Sequence, residues 1–158
     1  MSELHRVYLS LGSNIQPEVH LPKAIKLLRQ YGQVAAVSSA WESQSVGTEG
    51  PNYLNASVLF LTQLSISNVK EHVIQPIETA LERKRSEEKF APRTIDIDIV
   101  MYDGKPHKLH YWDYAFVLLP MSELDPDLLH PITNEKMSIA AERIRHQVWI
   151  VARPEIID

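Results

Sequence analysis

Apolar residues recur every second position in five stretches of the chain and every third or fourth in three others. Residues 5–10, HRVYLS, alternate as a strand with one buried face does. LGSN follows as a turn, with Asn14 placed to cap a helix. QPEVHLPKAIKLLRQYG then sets Leu21, Ala24, Ile25 and Leu28 at helical spacing, and Gly32 stands where that helix should stop. Residues 34–43 and 53–62 read as two further strands, separated by a loop that Gly47, Gly50 and Pro51 punctuate. Val69, Val73, Ile77 and Leu81 form the stripe of a second helix, expected from about Ser67 to Arg85 with a kink or break at Pro76. A strand over Thr94–Tyr102, an irregular stretch to residue 133, a helix near Met137–Ile144 and a last strand over 147–152 complete the pattern.

Strand, helix, strand, strand, helix, strand is the order of the split βαβ unit. The expected fold is therefore α+β: a ferredoxin-like βαββαβ antiparallel sheet with helices on one face and C-terminal additions. The 158 residues suit a single domain, 1–158, with no linker or repeat. A net charge of −4 gives no bulk attraction to nucleic acid or membrane surfaces, and no apolar run reaches the length of a membrane span. The absence of cysteine excludes disulfides, thiolate metal sites and cysteine nucleophiles. With no signal-peptide pattern at the start, a cytoplasmic protein is expected.

The chemistry concentrates in KFAPRTIDIDIVMYD, residues 89–103. Alternation puts Ile95, Ile97 and Ile99 on one strand face and Asp96 and Asp98 side by side on the other. Two carboxylates there either face water or grip a cation, and carboxylates completed by substrate phosphates are a common Mg²⁺ environment. Arg83, Lys84, Arg85, Lys89 and Arg93 lie between the preceding helix and this strand, where arginine forks could hold phosphate or simply complement a helix C-terminus. The chain has neither G-x-x-x-x-G-K-[ST] nor G-x-G-x-x-G, so no glycine-rich phosphate loop is available. Tyr53 and Asn55 share a strand face and could serve a planar heterocycle, one by stacking and the other through its amide. His130 reads as structural, next to the turn at Pro131.

The ordered set VYLSLGSN, YLNA, IETALERKR, FAPRTIDIDI and FVLLPMSELDPDLLHP resembles the 6-hydroxymethyl-7,8-dihydropterin pyrophosphokinase family over nearly the whole chain, with PRTIDIDI the most specific part. The resemblance implies a small-molecule enzyme that transfers pyrophosphate from ATP to the hydroxymethyl group of a reduced pterin, with two Mg²⁺ ions. It implies Asp96 and Asp98 as metal ligands and catalytic residues, with Asp96 also near the pterin and Arg83 and Arg93 acting with them. Gln75, Glu78, Arg83, Arg85, Arg93, Ile99, His110 and Tyr111 would contact ATP. Ser43, Val46, Tyr53, Asn55 and Phe116 would hold the pterin. The chain departs from the family at Tyr114, where an arginine is usual, and in a short His110–Phe116 segment. Two other readings are a pterin- or nucleotide-binding module without catalysis, and a ferredoxin-like RNA-binding domain, which the acidic balance and the paired aspartates oppose.

Overall fold

The computed structural model describes residues 3–45, 50–81 and 94–157. The elements are β1 (His5–Ser13), α1 (Pro17–Tyr31), β2 (Gln33–Val37), β3 (Ala40–Ser43), β4 (Tyr53–Thr62), α2 (Ile66–Val69), a π-helical turn (Lys70–Ile74) and α3 (Gln75–Ala80). Then follow β5 (Asp96–Tyr102), β6 (Lys105–Pro106), a 3-10 turn (Leu109–Asp113), α4 (Ala115–Leu124), α5 (Met137–Arg145) and β7 (Ile150–Arg153). All strand pairings are antiparallel. The sheet runs β6-β5-β1-β4-β3-β7, with β2 also on β4. Its inner part is the ferredoxin-like arrangement, and it places β1 between β5 and β4.

The expected helices of the unit, α1 and the α2–α3 run, cover one face. Leu21, Ala24, Ile25 and Leu28 of α1 meet Val69, Val73 and Ile77, and both sets pack on Leu9, Leu54, Phe60, Ile95, Ile97 and Ile99. The C-terminal additions cover the other face. There Trp112, Val117, Leu118 and Met121 pack with Met137, Ala140 and Ala141 over Tyr8, Trp41, Leu59 and Met101. A β-bulge between β1 and β5 leaves Val100 unpaired between Ile99 and Met101, so Val100 and Met101 both join this second cluster.

Local departures from the sequence expectation have identifiable causes. Helix α1 is not capped by Asn14: the N-cap is Gln16, at φ 42°, and Pro17 opens the helix. Gly32 does end α1, and its backbone is extended. A Cβ there would lie 2.4 Å from Cζ of the buried Phe60, so close packing, not a left-handed turn, requires glycine. The 34–43 strand is two strands, because at Ser38 the pairing turns irregular: its N–H still donates to the Ser57 carbonyl at 2.9 Å, but the Ser57 N–H goes to Ser38 Oγ at 2.8 Å and not to a backbone carbonyl. At Pro76 the second helix does not break. A π-turn precedes it, so the residue without an N–H is accommodated by a locally wider helix. The irregular stretch contains α4, whose uniformly apolar AFVLLPM and internal Pro120 carry no helical period.

His130 is structural, as expected. Its Nδ1 accepts from the N–H groups of Ile132 and Thr133, which leaves Nε2 to donate to the Trp112 carbonyl at 2.8 Å. Among the described residues no helix is long and apolar enough to cross a membrane.

Candidate active site

Strand register builds the site. Asp96 stands opposite Gly12 of β1, and Gly12 in turn stands opposite Asn55 of β4. Asp98 stands opposite Ser10. The alternation that buries Ile95, Ile97 and Ile99 therefore turns the two carboxylates, Ser10, Gly12 and Asn55 onto the opposite face. They line a cleft of about 560 Å³. Gly12 keeps the floor open: a Cβ there would sit 3.2 Å from Asn55 Oδ1 and 3.5 Å from Tyr53 Cδ1.

On the β4 flank, Asn55 is buried and its Nδ2 donates to the Trp41 carbonyl at 3.0 Å and to Ser43 Oγ at 2.8 Å. The amide therefore does not offer the cleft a donor and an acceptor alike. Its donor is committed to β3, and Oδ1 is the atom turned towards Gly12 and the cleft. Tyr53 and Phe116 both line the cleft, and Phe116 stacks on Tyr114 with centroids 4.9 Å apart.

On the other flank β5 is an incomplete inner strand. β6 pairs with it only at Met101 and Tyr102, so the backbone near the aspartates faces α3. The buried Glu78 closes that gap, its Oε2 accepting from Ile97 N–H at 3.2 Å. Gln75, Ile74 and Lys70 continue the same wall.

Tyr111 O–H donates to Asp98 Oδ1 at 2.8 Å, and its ring leans on His110 at 4.3 Å. Even with that hydrogen bond, the Asp98 carboxyl is pushed up to about 6 from an ordinary 3.8. Burial is the main cause, and the Asp96 and Glu78 charges add to it.

Of the sequence-derived candidates, Ser43, Tyr53, Asn55, Gln75, Glu78, Asp96, Asp98, Ile99, His110, Tyr111 and Phe116 all line this one cleft. Val46, Arg83, Arg85 and Arg93 lie outside the described residues. The cleft also takes in Ser10, Gly12, Lys70, His107 and Lys108, which the sequence reading did not select. Ser10 and Gly12 alternate in LSLGS and could have been found as cross-strand neighbours of the aspartates. Lys108 lies in the stretch without periodicity and gave no signal.

Among the described residues no group of three or more His, Asp or Glu side chains could hold a metal by itself. Two adjacent carboxylates, one of them held well above its ordinary range by burial and then by like charge, suit a cation whose remaining ligands are substrate oxygens and water.

The sequence profile of the family described as 7,8-dihydro-6-hydroxymethylpterin-pyrophosphokinase (HPPK) matches residues 8–126. The chain is 31% identical over 145 residues to the 2-amino-4-hydroxy-6-hydroxymethyldihydropteridine pyrophosphokinase of Aquifex aeolicus (strain VF5), covering 83% of this chain and 87% of that protein. It is 36% identical over 137 residues to the protein of the same name from Methylorubrum extorquens, covering 78% of this chain and 85% of that one. In fold it is similar to a crystal structure of Plasmodium falciparum HPPK-DHPS, with a TM-score of 0.72 at 12% identity; the match covers 93% of this chain and 45% of that chain. The profile runs from Tyr8 in β1 to Pro126 beyond α4 and so spans every described residue that lines the cleft; the chain belongs to the 7,8-dihydro-6-hydroxymethylpterin-pyrophosphokinase family.

Proposed function

We propose that this chain transfers the pyrophosphoryl group of ATP to the hydroxymethyl group of 6-hydroxymethyl-7,8-dihydropterin and releases AMP, as a step of folate biosynthesis in the cytoplasm. The observation that carries this reading is the convergence, in one cleft, of two aspartates on β5 with a stacking and amide flank on β4 and a polar helix wall on α3. Tyr53 and Phe116 give the pterin two flat apolar surfaces. Asn55 Oδ1 accepts from an N–H on the pterin edge, because its Nδ2 is held by Trp41 and Ser43. Ser43 thus fixes Asn55, and the family resemblance adds Val46 to the pterin contacts.

The triphosphate lies over Asp96 and Asp98, towards His110, Tyr111, Gln75 and Ile99. Arg83, Arg85 and Arg93 add positive charge to it. Two Mg²⁺ ions held by Asp96 and Asp98 would neutralise phosphate charge and activate the pterin hydroxyl. Tyr111 holds Asp98 in position through its O–H, and Glu78 fixes the strand that carries both aspartates by accepting from Ile97 N–H.

The test is AMP formation from ATP and the hydroxymethyl pterin in Mg²⁺. Turnover that disappears with EDTA and in Asp96→Ala, with an unchanged circular dichroism spectrum, is the expected result. Folded protein that binds pterin but releases no AMP refutes the catalytic reading in favour of a binding module.

A further inference from the structure

The described part of the cleft is acidic where a nucleotide triphosphate must lie. Glu78, Asp96 and Asp98 all line it, and a triphosphate brings several further negative charges. Tyr114 supplies no charge there and is occupied in stacking on Phe116. Among the described lining residues the arginine and lysine side chains are two, Lys70 and Lys108. They reach the cleft from different elements, one from the π-turn of the second helix and the other from the loop after β6.

Resting on the pyrophosphokinase reading, we propose that Lys70 and Lys108, one from the second helix and one from the loop after β6, form a two-lysine clamp for the phosphates of ATP. Two placements support it. Lys70 and Lys108 line the one cleft with His107, whose imidazole is held below its ordinary range chiefly by burial and further by the two ammoniums, so the helix and the loop each bring positive charge to the cleft. Lys108 also shares the cleft wall with Asp98, and its charge opposes the burial and the Asp96 and Glu78 charges that raise that carboxyl.

The backbone agrees. Lys108 adopts φ 56° and ψ 95°, a conformation uncommon for a residue with a side chain, as its carbonyl receives the Tyr111 N–H of the 3-10 turn. The same turn positions His110 and Tyr111, so one strained residue sets the lysine and the Asp98 partner together. On the helix, the widened π-turn that accommodates Pro76 carries Lys70 into the wall formed by Ile74, Gln75 and Glu78.

The experiment uses Lys70→Gln, Lys108→Asn and the double variant, asparagine being chosen because it tolerates positive φ. Binding of a non-hydrolysable Mg·ATP analogue is measured by calorimetry, with AMP and the pterin as comparison ligands. Each single change is expected to weaken analogue binding about tenfold, as for a lost charge-assisted hydrogen bond. The double variant should lose more, AMP binding should change far less, and pterin affinity should hold as proof of folding. Lys108→Arg should restore most of the loss, and the wild-type advantage should shrink with added salt. Unchanged analogue affinity in the double variant overturns the clamp, and so does an equal loss for AMP and the analogue. Wild-type protein that binds the analogue but makes no AMP refutes the transferase reading and leaves the clamp to be decided by the same binding series. Wild-type protein that does not bind the analogue overturns both.

Discussion

Replacing Asp98 by asparagine should make the metal-free protein more stable while removing its response to Mg²⁺. The Asp98 carboxyl is pushed up to about 6 from an ordinary 3.8. A folded-state value above the unfolded one means that the fold holds the proton more tightly. The stability this provides is present in full below about pH 3.8 and is lost as pH rises through about 6. At pH 8 the ionised side chain therefore costs the folded state at most about 3 kcal/mol, from roughly 1.4 kcal/mol per pH unit. Part of this is shared with Asp96 as a coupled pair, and a buried amide also carries a desolvation cost, so a gain of about 1–3 kcal/mol is expected for Asp98→Asn. Asparagine keeps an Oδ1 for the Tyr111 O–H, so the geometry of that contact survives.

Urea denaturation in EDTA measures this directly at pH 8 and at pH 4. The variant should exceed the wild type at pH 8, and the gap should close at pH 4, where Asp98 is largely protonated in the folded wild type. Adding Mg²⁺ with an ATP analogue should reverse the order. Wild type gains about 2.7 kcal/mol at a hundredfold excess of ligand over its Kd, and the variant gains little. For the same reason the Mg²⁺ affinity of the wild type should fall as pH drops below about 6. A variant no more stable than wild type at pH 8, or a stability gap independent of pH, would show that the carboxylates are solvated and not in mutual repulsion.

Three further substitutions test the rest of the construction. Gly12→Ala places a Cβ 3.2 Å from Asn55 Oδ1, so pterin KM should rise about tenfold, near 1.4 kcal/mol, with stability almost unchanged; a wild-type KM would remove Gly12 from the cleft floor. Gly32→Ala meets Phe60 Cζ at 2.4 Å and should lower the unfolding free energy by about 1–3 kcal/mol, with partial recovery when Phe60 is also changed to Leu. His130→Ala strands the N–H groups of Ile132 and Thr133 and the Trp112 carbonyl, and should cost about 2–4 kcal/mol. Amide exchange should show the Ile132 and Thr133 protons exposed first, and retention of their protection would contradict the structural role of His130.

The sequence by itself determined everything with a local period. The T-I-D-I-D-I alternation dictated that the isoleucines enter the core and the aspartates face the other way, since side chains on a strand alternate whatever lies beyond it. The stripes of α1 and the second helix, the stop at Gly32 and the strand at 53–62 were legible for the same reason. The tertiary structure decided what depends on partners distant in the chain. Register put Gly12 between Asp96 and Asn55, and the short β6 left Ile97 N–H for Glu78. Packing on the second face made a helix of AFVLLPM, which has no amphipathic period because it is buried nearly all round. The donor of Asn55 was lost to Trp41 and Ser43, and Lys70 and Lys108 were brought to one cleft from positions 38 residues apart. No local pattern encodes such meetings, because they follow from how the sheet is ordered and covered.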